Sequence, residues 1–293
     1  MSDMLEFTGE RFTPECVREI RYEHIHRYAF ARSFVQGRRV LDAACGEGYG
    51  SALLAESAES VVGVDLAEET IVHARQRYGS DRLEFRQGDC TDLPFGDDEF
   101  DCVISFETLE HLENQQGLMQ AFRRALKPEG FLLISTPDKA VYTDQQGNQN
   151  EYHVSELYRH EFDDLLASCF PAVRMWGQKL GFQSSLWALD PCKGVSVLQE
   201  TDQGITHSEV PLHQAVYLLA FCAADEKFLP SADGGLSLFD DEAESVYEHY
   251  YHEIRKNMAA GALLQKRDAE IDRLKVELEQ ASAPLWKRLL GRD

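Results

Sequence analysis

Acidic and imidazole side chains follow the fourth predicted strand at a spacing that suits metal binding or proton transfer. Glu107, Glu110 and His111 would lie at positions i, i+3 and i+4 of one helical face. Two carboxylates and one imidazole on such a turn could bind a hard divalent cation such as Mg²⁺. His111 could instead act as a general base without a metal, or could only pack. The spacing leaves these three interpretations open.

A second histidine, His153, lies in the segment NEYHVSELYRHEF after the fifth predicted strand. Parallel strands present their carboxyl ends at one edge of a sheet, where open α/β folds bind their ligands. We therefore expect His153 at the same edge as His111. The alternative is a structural role for His153, as a cap of the helix predicted to begin near Ser155.

A glycine-rich segment, RRVLDAACGEGYGS at residues 38–51, contains the end of the first predicted strand. Gly46, Gly48 and Gly50 remove side chains from the turn, so we expect a charged or flat small molecule to lie against it. A dinucleotide fingerprint counted from Gly46 would need glycine at Ser51, and the G-K-[ST] sequence of a P-loop is missing. The register argues against the dinucleotide site, and the missing sequence argues against the P-loop.

The composition argues against several classes of function. The chain has 293 residues, of which 51 are acidic and 29 basic, and its formal net charge of −22 repels phosphate backbones, so no nucleic-acid partner is expected. Its seven cysteines form no C-x-x-C pair, which argues against a disulfide framework or a zinc ribbon. No apolar run approaches the roughly 20 residues of a membrane span, and the start lacks a signal-peptide core. We expect a cytoplasmic protein with a small or neutral substrate.

Apolar strand patterns alternate with helical patterns, as in βαβ units around a parallel sheet. Strands are predicted at residues 39–43, 60–65, 83–87, 100–105 and 130–136, with helices near 49–56, 68–78 and 114–126. The sequence LKPEG at 126–130 predicts a turn before the fifth strand. A helix at 155–169 and strands at 172–178 and 215–223 follow. The sequence thus predicts an α/β fold.

Four segments are expected along the chain. They are an N-terminal segment at 1–37, an α/β domain at 38–226, a helical region at 240–283 and a basic tail at 284–293. Residues 181–213 are predicted to form an insertion over the carboxyl edge of the sheet, where substrate specificity should be sought. Trp176, Phe182 and Trp187 could form a platform for a sugar there, or could simply pack in a core.

The C-terminal region predicts surfaces for association. Its apolar residues follow the spacing of an a/d seam, which predicts a coiled coil and a homodimer, although Asn257 and Arg267 fall on the same seam. A single solvated helix is the alternative. The basic amphipathic tail could rest on a membrane surface or dock on a partner, or it could be a frayed terminus. The seam residues are Leu264, Ile271, Leu274, Leu278 and Ala281.

Four sequence motifs in order make residues 40–137 resemble the class I S-adenosylmethionine-dependent methyltransferases. They are VLDAACGEGYGS, VVGVDL, FRQGDCTDLPF and FDCVISFETLEHL. The resemblance implies a Rossmann-like seven-stranded sheet and S-adenosylmethionine as the cofactor. Ala44 stands where the family most often has its first glycine, and alanine occurs there in many members.

The resemblance also implies a set of cofactor-binding residues. Asp42 would accept hydrogen bonds near the cofactor ammonium group, Asp65 would accept both ribose hydroxyls, and Asp89 would meet the adenine amino group. Aspartates at strand ends can also be simple turn formers or caps. The implied set is Asp42, Ala44, Gly46, Gly48, Asp65, Leu66, Asp89, Cys90 and Ser105.

Further resemblances concern the methyl acceptor. The N-x-x-H-x-x-E sequence at 150–156 resembles methyltransferases that act on sugars or glycans, which implies that His153 and Glu156 face the acceptor. The sequence motifs ER-F-P and YEH-HRY near the N-terminus resemble the cofactor lid of methyltransferases from glycan biosynthesis gene clusters. These similarities imply O-methylation of a sugar in a bacterial surface polysaccharide, with His111, His153 and Glu107 as catalytic candidates.

Two other functions stay open at this point. The E-x-x-E-H spacing looks like that of the ubiquinone-pathway O-methyltransferases, which implies a quinone-precursor acceptor and a divalent metal on Glu107, Glu110 and His111. A catalytically silent module that binds the cofactor and acts through its coiled coil is the other alternative. The tail resembles those of proteins from polysaccharide clusters, which implies recruitment to a glycosyltransferase or to lipid-linked glycan at the inner membrane.

Overall fold

A seven-stranded α/β sheet dominates the structure, a computed structural model that describes residues 19–186, 195–202, 204–209, 211, 213–232 and 235–282. Two short 3₁₀ turns accompany the longer elements, at Leu109–His111 and Glu226–Phe228. The longer elements are α1 (Glu19–Arg32), β1 (Arg39–Ala43), α2 (Tyr49–Ala55), β2 (Ser60–Asp65), α3 (Glu68–Tyr78), β3 (Leu83–Gln87), β4 (Phe100–Phe106), α4 (Gln115–Ala125), β5 (Leu126–Pro137), α5 (Lys139–Tyr142), α6 (Arg159–Cys169), β6 (Ala172–Gln178), β7 (Val197–Thr201), β8 (Gly204–Ser208), β9 (Tyr217–Ala223) and α7 (Ser245–Ser282).

The strand order in the large sheet is β3-β2-β1-β4-β5-β9-β6. Strands β1 to β5 pair in parallel, and β9 is antiparallel to both β5 and β6. The prediction of a Rossmann-like sheet of seven strands is therefore confirmed. The order reverses between β1 and β4, and the crevice outside the carboxyl ends of the strands at such a point is the usual ligand site of an open α/β sheet.

Apolar side chains cover both faces of this sheet. One buried cluster packs the sheet against α1, α2 and α3 through residues such as Tyr28, Leu54 and Ile71. The other packs it against α4 and α6 through residues such as Phe122 and Phe162. Burial of both faces explains why the strands carry nearly continuous apolar runs.

The predicted bounds of β5 and α6 differ most from the structure. The turn predicted at LKPEG is an irregularity inside β5, because Leu126 is buried and already pairs with Phe100 before the register shifts. The helix predicted from Ser155 begins at Arg159, because the backbone N–H groups of Val154 and Ser155 donate to the carbonyl of Glu110 at 2.8 and 3.0 Å. This second difference ties the segment before α6 to the turn after β4.

The predicted insertion is described in part. Strands β7 and β8 form a separate antiparallel hairpin within it. Trp187 lies outside the described residues. Trp176 belongs to β6 and packs on Phe30 of α1 with 4.9 Å between ring centroids, so the structure places it in the sheet rather than on the predicted platform.

A second compact unit spans residues 240–293, and α7 is its described helix. The seam residues Leu264, Ile271, Leu274 and Leu278 are exposed along it. Pairing of this helix in a homodimer stays a prediction. The tail at 284–293 lies outside the described residues. None of the described helices is both long enough and apolar enough to cross a membrane.

Candidate active site

The glycine-rich turn after β1 adopts left-handed backbone conformations. Ala44 has φ of 60°, a region that costs an alanine more than a glycine, and Gly48 has φ of 94°. The backbone N–H of Cys45 donates to the carbonyl of Val64 at 2.9 Å, which holds the turn against the end of β2. The turn is therefore fixed at the carboxyl edge of β1 and β2.

Close packing explains two of the three glycines. A Cβ on Gly48 would lie 2.8 Å from the Phe85 ring, and one on Gly50 would lie 2.1 Å from the Tyr28 ring. Both glycines are buried, whereas Gly46 is half-buried. The structure therefore gives Gly48 and Gly50 a packing role, and of the three it leaves only Gly46 partly open to a small molecule.

Asp42 is fully buried at the end of β1. Its carboxylate accepts hydrogen bonds from Tyr28 Oη at 3.1 Å and from Ser51 Oγ at 2.5 Å. Burial raises the pKa of Asp42 to about 7, and the negative charge of Asp65 adds to the shift while the two hydroxyl donors oppose it. A nearby cation would favour the ionised form of this group.

Asp65, at the end of β2, joins two backbone segments. Its Oδ2 accepts from the N–H of Gly46 and its Oδ1 from the N–H of Ala67, each at 3.0 Å. Each carboxylate oxygen has a second lone pair, so Asp65 can still accept two ligand hydroxyls. The adjacent Leu66 is 70% exposed, as expected of a side chain that a flat ligand could cover.

The remaining predicted cofactor residues lie beside the same edge. Asp89 is exposed and accepts from the backbone N–H and the Oγ1 of Thr91 at 2.8 and 2.7 Å, which is the geometry of a turn former. Cys90 is buried in the core, and Ser105 is buried with an Oγ that lacks a hydrogen-bond partner in the described part of the chain.

Glu47, inside the glycine turn, is a buried acid that the sequence reasoning missed. Its carboxylate accepts from His73 Nε2 at 3.0 Å, from Arg77 at 2.9 Å and from Tyr78 Oη at 3.0 Å. These three residues all belong to α3, so Glu47 anchors the turn to that helix. The sequence feature that could have indicated this anchor is a charged residue between two glycines.

The carboxyl end of β4 does not bring the three predicted metal ligands together. Glu107 has φ of 51° and precedes the 3₁₀ turn, so it does not share a helical face with Glu110 and His111. Its Oε1 lies 2.7 Å from Arg27 and accepts from Ser135 Oγ at 2.6 Å. The positive φ thus directs Glu107 towards α1 and β5.

Glu110, His111 and His153 do converge. One ligand atom from each side chain lies within 4.8 Å of the other two. Glu110 is 1% exposed, and burial, together with the charge of Glu107, raises its pKa well above the usual value. The rings of His111 and His153 meet edge to face with 5.1 Å between centroids. His153 therefore takes the place predicted for Glu107.

Hydrogen bonds orient both imidazole rings. Nδ1 of His111 lies 2.9 Å from the carbonyl of Tyr152, which can only accept, so Nδ1 carries the proton. Nδ1 of His153 lies 2.5 Å from Oε1 of Glu156, whose other oxygen accepts from Thr143. In the neutral rings the basic lone pair is then on Nε2 of each histidine.

Helix α1 closes this end of the sheet. The Arg27 side chain is buried between Glu107 and the ring of Tyr217, whose centroid is 4.7 Å from its guanidinium carbon. Tyr217 also donates to Glu23 at 3.3 Å, and burial raises the pKa of Glu23 to about 7. The YEH-HRY motif therefore contacts Glu107 and Tyr217, and its role as a cofactor lid stays a prediction. The ER-F-P motif lies outside the described residues.

A cleft of about 590 Å³ opens beside His153. Most of its lining side chains end in amide, hydroxyl or charged groups. They are Lys139, Thr143, Asn148, Gln149, Asn150, Glu151, His153, Val154 and Glu156. A cleft with this lining suits a ligand with many hydroxyl groups better than an apolar one.

Residues 41–134 match the family described as "Methyltransferase domain". A protein of Mycolicibacterium smegmatis named "Probable S-adenosylmethionine-dependent methyltransferase" is 36% identical over 165 residues, which are 55% of this chain and 63% of that protein. A demethylmenaquinone methyltransferase of Clavibacter sepedonicus is 46% identical over 108 residues, which are 35% of this chain and 44% of that protein. The chain thus spans less than two thirds of the length of either relative.

A solved structure has a similar fold. The S-adenosylmethionine-dependent methyltransferase structure from Thermotoga maritima has a TM-score of 0.51 with this chain at 15% identity, and the match covers 70% of this chain and 90% of that one. At this identity the likeness concerns the fold alone. Strand order, family match and structural likeness together show that the sheet and its helices have the class I S-adenosylmethionine-dependent methyltransferase fold, and residues 41–134 are the part that matches the methyltransferase-domain family.

Proposed function

We propose that the protein transfers a methyl group from S-adenosylmethionine to a hydroxyl of a polar acceptor. Cofactor binding is supported by the position of the Asp65 carboxylate at the end of β2. It is held beside the Gly46 backbone and has lone pairs left for two ribose hydroxyls. Asp42 would lie near the cofactor ammonium group, and Leu66 would cover the adenine.

Replacing Asp65 by alanine should weaken S-adenosylmethionine binding by about 1.5–3 kcal/mol, because hydrogen bonds to a charged group are lost. This corresponds to a rise in Kd of about 10- to 150-fold. Isothermal titration calorimetry measures the change, with the exposed Asp81 replaced by alanine as the matched control. If the Asp65 variant and the native chain bind S-adenosylmethionine with equal affinity, Asp65 does not bind the ribose hydroxyls.

The affinity for S-adenosylmethionine should also depend on pH through Asp42. Its raised pKa of about 7 means that the free protein holds a proton there at lower pH, and a bound ammonium group would expel it. Binding should therefore tighten as pH rises from 5 to 7, by at most about tenfold per pH unit, and level off above.

Calorimetry in buffers of different ionisation enthalpy should detect the released proton. Glu23 titrates in the same range, so Glu23→Gln serves as the control that keeps the pH dependence while Asp42→Asn removes it. A dependence that Asp42→Asn leaves unchanged would assign the proton to another group.

The acceptor is proposed to be a sugar of a bacterial surface polysaccharide. The amides of Asn148, Gln149 and Asn150 offer both donors and acceptors for sugar hydroxyls, and His153 borders the same cleft. In the transfer, the acceptor oxygen forms a bond to the methyl carbon while the carbon–sulfur bond breaks, which leaves S-adenosylhomocysteine. Without a bound ion, the hydroxyl proton moves to Nε2 of His111 or His153. With an ion bound to both nitrogens, the ion would lower the pKa of the hydroxyl and the proton would leave to solvent.

A quinone-precursor acceptor is the second candidate. It is favoured by the similarity of 108 residues of this chain to the demethylmenaquinone methyltransferase, whereas the polar lining of the cleft favours the sugar. Release of S-adenosylhomocysteine should be compared across sugar glycosides, nucleoside diphosphate sugars and a reduced naphthoquinone. Release with the quinol alone would overturn the sugar proposal. Cofactor binding without release on any acceptor would favour the silent binding module.

A further inference from the structure

Two histidines and one buried glutamate form a compact set of potential metal ligands outside the cofactor turn. Glu110 and His111 lie on the 3₁₀ turn after β4, and His153 comes from the loop before α6, some 40 positions later. A ligand atom from each lies within 4.8 Å of the other two, and Oε1 of Glu110 is 3.9 Å from Nε2 of His111.

The environment of both histidines is the one that metal-binding histidines need. A ligating imidazole normally donates its other ring N–H to a carbonyl or carboxylate, which fixes the ring and makes the ligating nitrogen more basic. Nδ1 of His111 donates to the carbonyl of Tyr152, and Nδ1 of His153 donates to Glu156. Both rings are thus oriented with Nε2 as the ligating atom.

The carboxylate of Glu110 gives independent support for a bound cation. It is 1% exposed, and its Oε2 accepts from Thr136 Oγ1 at 3.2 Å. Its Oε1 accepts no hydrogen bond within the part of the chain that the structure describes. A buried carboxylate oxygen without a donor is costly, and a cation would remove that cost.

We propose that Glu110, His111 and His153 together bind one divalent transition-metal ion. Two imidazoles and one carboxylate favour a borderline ion such as Zn²⁺, Fe²⁺ or Co²⁺ over Mg²⁺, which prefers oxygen ligands. Ligand atoms around a tetrahedral ion at about 2.0–2.1 Å are about 3.3 Å apart. The widest separation here must therefore close by at most about 1.5 Å when the ion binds.

The site differs from the one expected from the sequence in both its ligands and its ion. Glu107 is left out of the proposed ligand set, because Arg27 and Ser135 contact its Oε1. Three protein ligands leave at least one coordination position for water or substrate, as in catalytic metal sites. Because His153 lines the polar cleft, the open position would meet an acceptor hydroxyl and lower its pKa. This role rests on the proposed function, whereas the binding of the ion does not.

Metal binding can be tested without any acceptor. The 293-residue chain, freed of metal by chelator and dialysis, is titrated with Zn²⁺ by calorimetry and with Co²⁺ by visible absorption. We expect one ion per chain, a cobalt spectrum of low coordination number, and no displacement by excess Mg²⁺. His111→Ala, His153→Ala and Glu110→Gln should each weaken Zn²⁺ binding by at least about tenfold.

Controls separate this site from adventitious binding. His249 and His252 on α7 are three residues apart and could bind Zn²⁺ by themselves, so the double variant His249→Ala with His252→Ala should keep the native affinity. Circular dichroism checks that each variant is folded, and His153→Gln replaces His153→Ala if the alanine variant is not. Zinc binding that survives in the His111→Ala and His153→Ala variants would overturn the proposal. Zinc binding that is lost only in the α7 double variant would do the same.

The same samples distinguish two kinds of failure. S-adenosylmethionine affinity is measured beside the metal titration, because Asp65 and Gly46 bind the cofactor independently of His153 in this proposal. Cofactor binding without a metal would refute the metal site alone. A specific metal without cofactor binding would refute the proposed function alone.

Discussion

Replacing His153 by alanine should lower kcat for S-adenosylhomocysteine formation by about 100-fold or more, measured with the best acceptor of the panel. The imidazole lines the polar cleft, and Glu156 and Thr143 fix its orientation, so it is placed to accept the acceptor proton or to hold the ion that acidifies it. The affinity for S-adenosylmethionine should not change, because the cofactor residues lie on the β1 and β2 turns.

The control is His160→Ala, which removes an exposed imidazole at the start of α6. That variant should keep the native kcat. A His153→Ala variant that loses cofactor affinity as much as turnover would place His153 on the cofactor side, and unchanged turnover would remove it from the catalytic residues.

Replacing Glu47 by alanine should lower the free energy of unfolding by about 2–4 kcal/mol. The buried carboxylate accepts from His73, Arg77 and Tyr78, and its loss removes the anchor between the glycine turn and α3. The loss is smaller than that of a fully buried ion pair because the Arg77 side chain is 38% exposed and can be solvated. Urea unfolding measures the change.

Glu56→Ala is the matched control for this experiment, since Glu56 forms an exposed ion pair with Arg32 and such pairs contribute little to stability. The Glu47 variant should also bind S-adenosylmethionine more weakly, because Gly46 and Gly48 flank the lost anchor. A Glu47 variant as stable as the Glu56 variant would show that the turn holds its shape without α3.

The sheet could be predicted from the sequence because the residue pattern of each strand lies within the strand itself. Strands β1, β2 and β3 were predicted at their observed bounds, since buried parallel strands are apolar runs that end in turn residues. The start of α6 was predicted wrongly because the Glu110 carbonyl, far away in sequence, captures the backbone of Val154 and Ser155. No local pattern reports such a contact.

The site was less predictable than the fold for the same reason. The glycines suggested open space for a ligand, but the rings of Tyr28 and Phe85, which come from α1 and β3, occupy the space beside Gly50 and Gly48. The E-x-x-E-H spacing suggested one helical face, but the left-handed backbone of Glu107 directs that side chain towards Arg27. Both differences arise because neighbours in sequence are not always neighbours in space.

Two adjacent residues of α1 contact different halves of the site. Tyr28 donates to Asp42 beneath the cofactor turn, and Arg27 pairs with Glu107 beneath the acceptor side. A displacement of this helix by one ligand would therefore change the binding free energy of the other ligand. Linkage makes this effect equal in both directions. The two substrates are therefore expected to bind with heterotropic cooperativity, with α1 as the element that couples them.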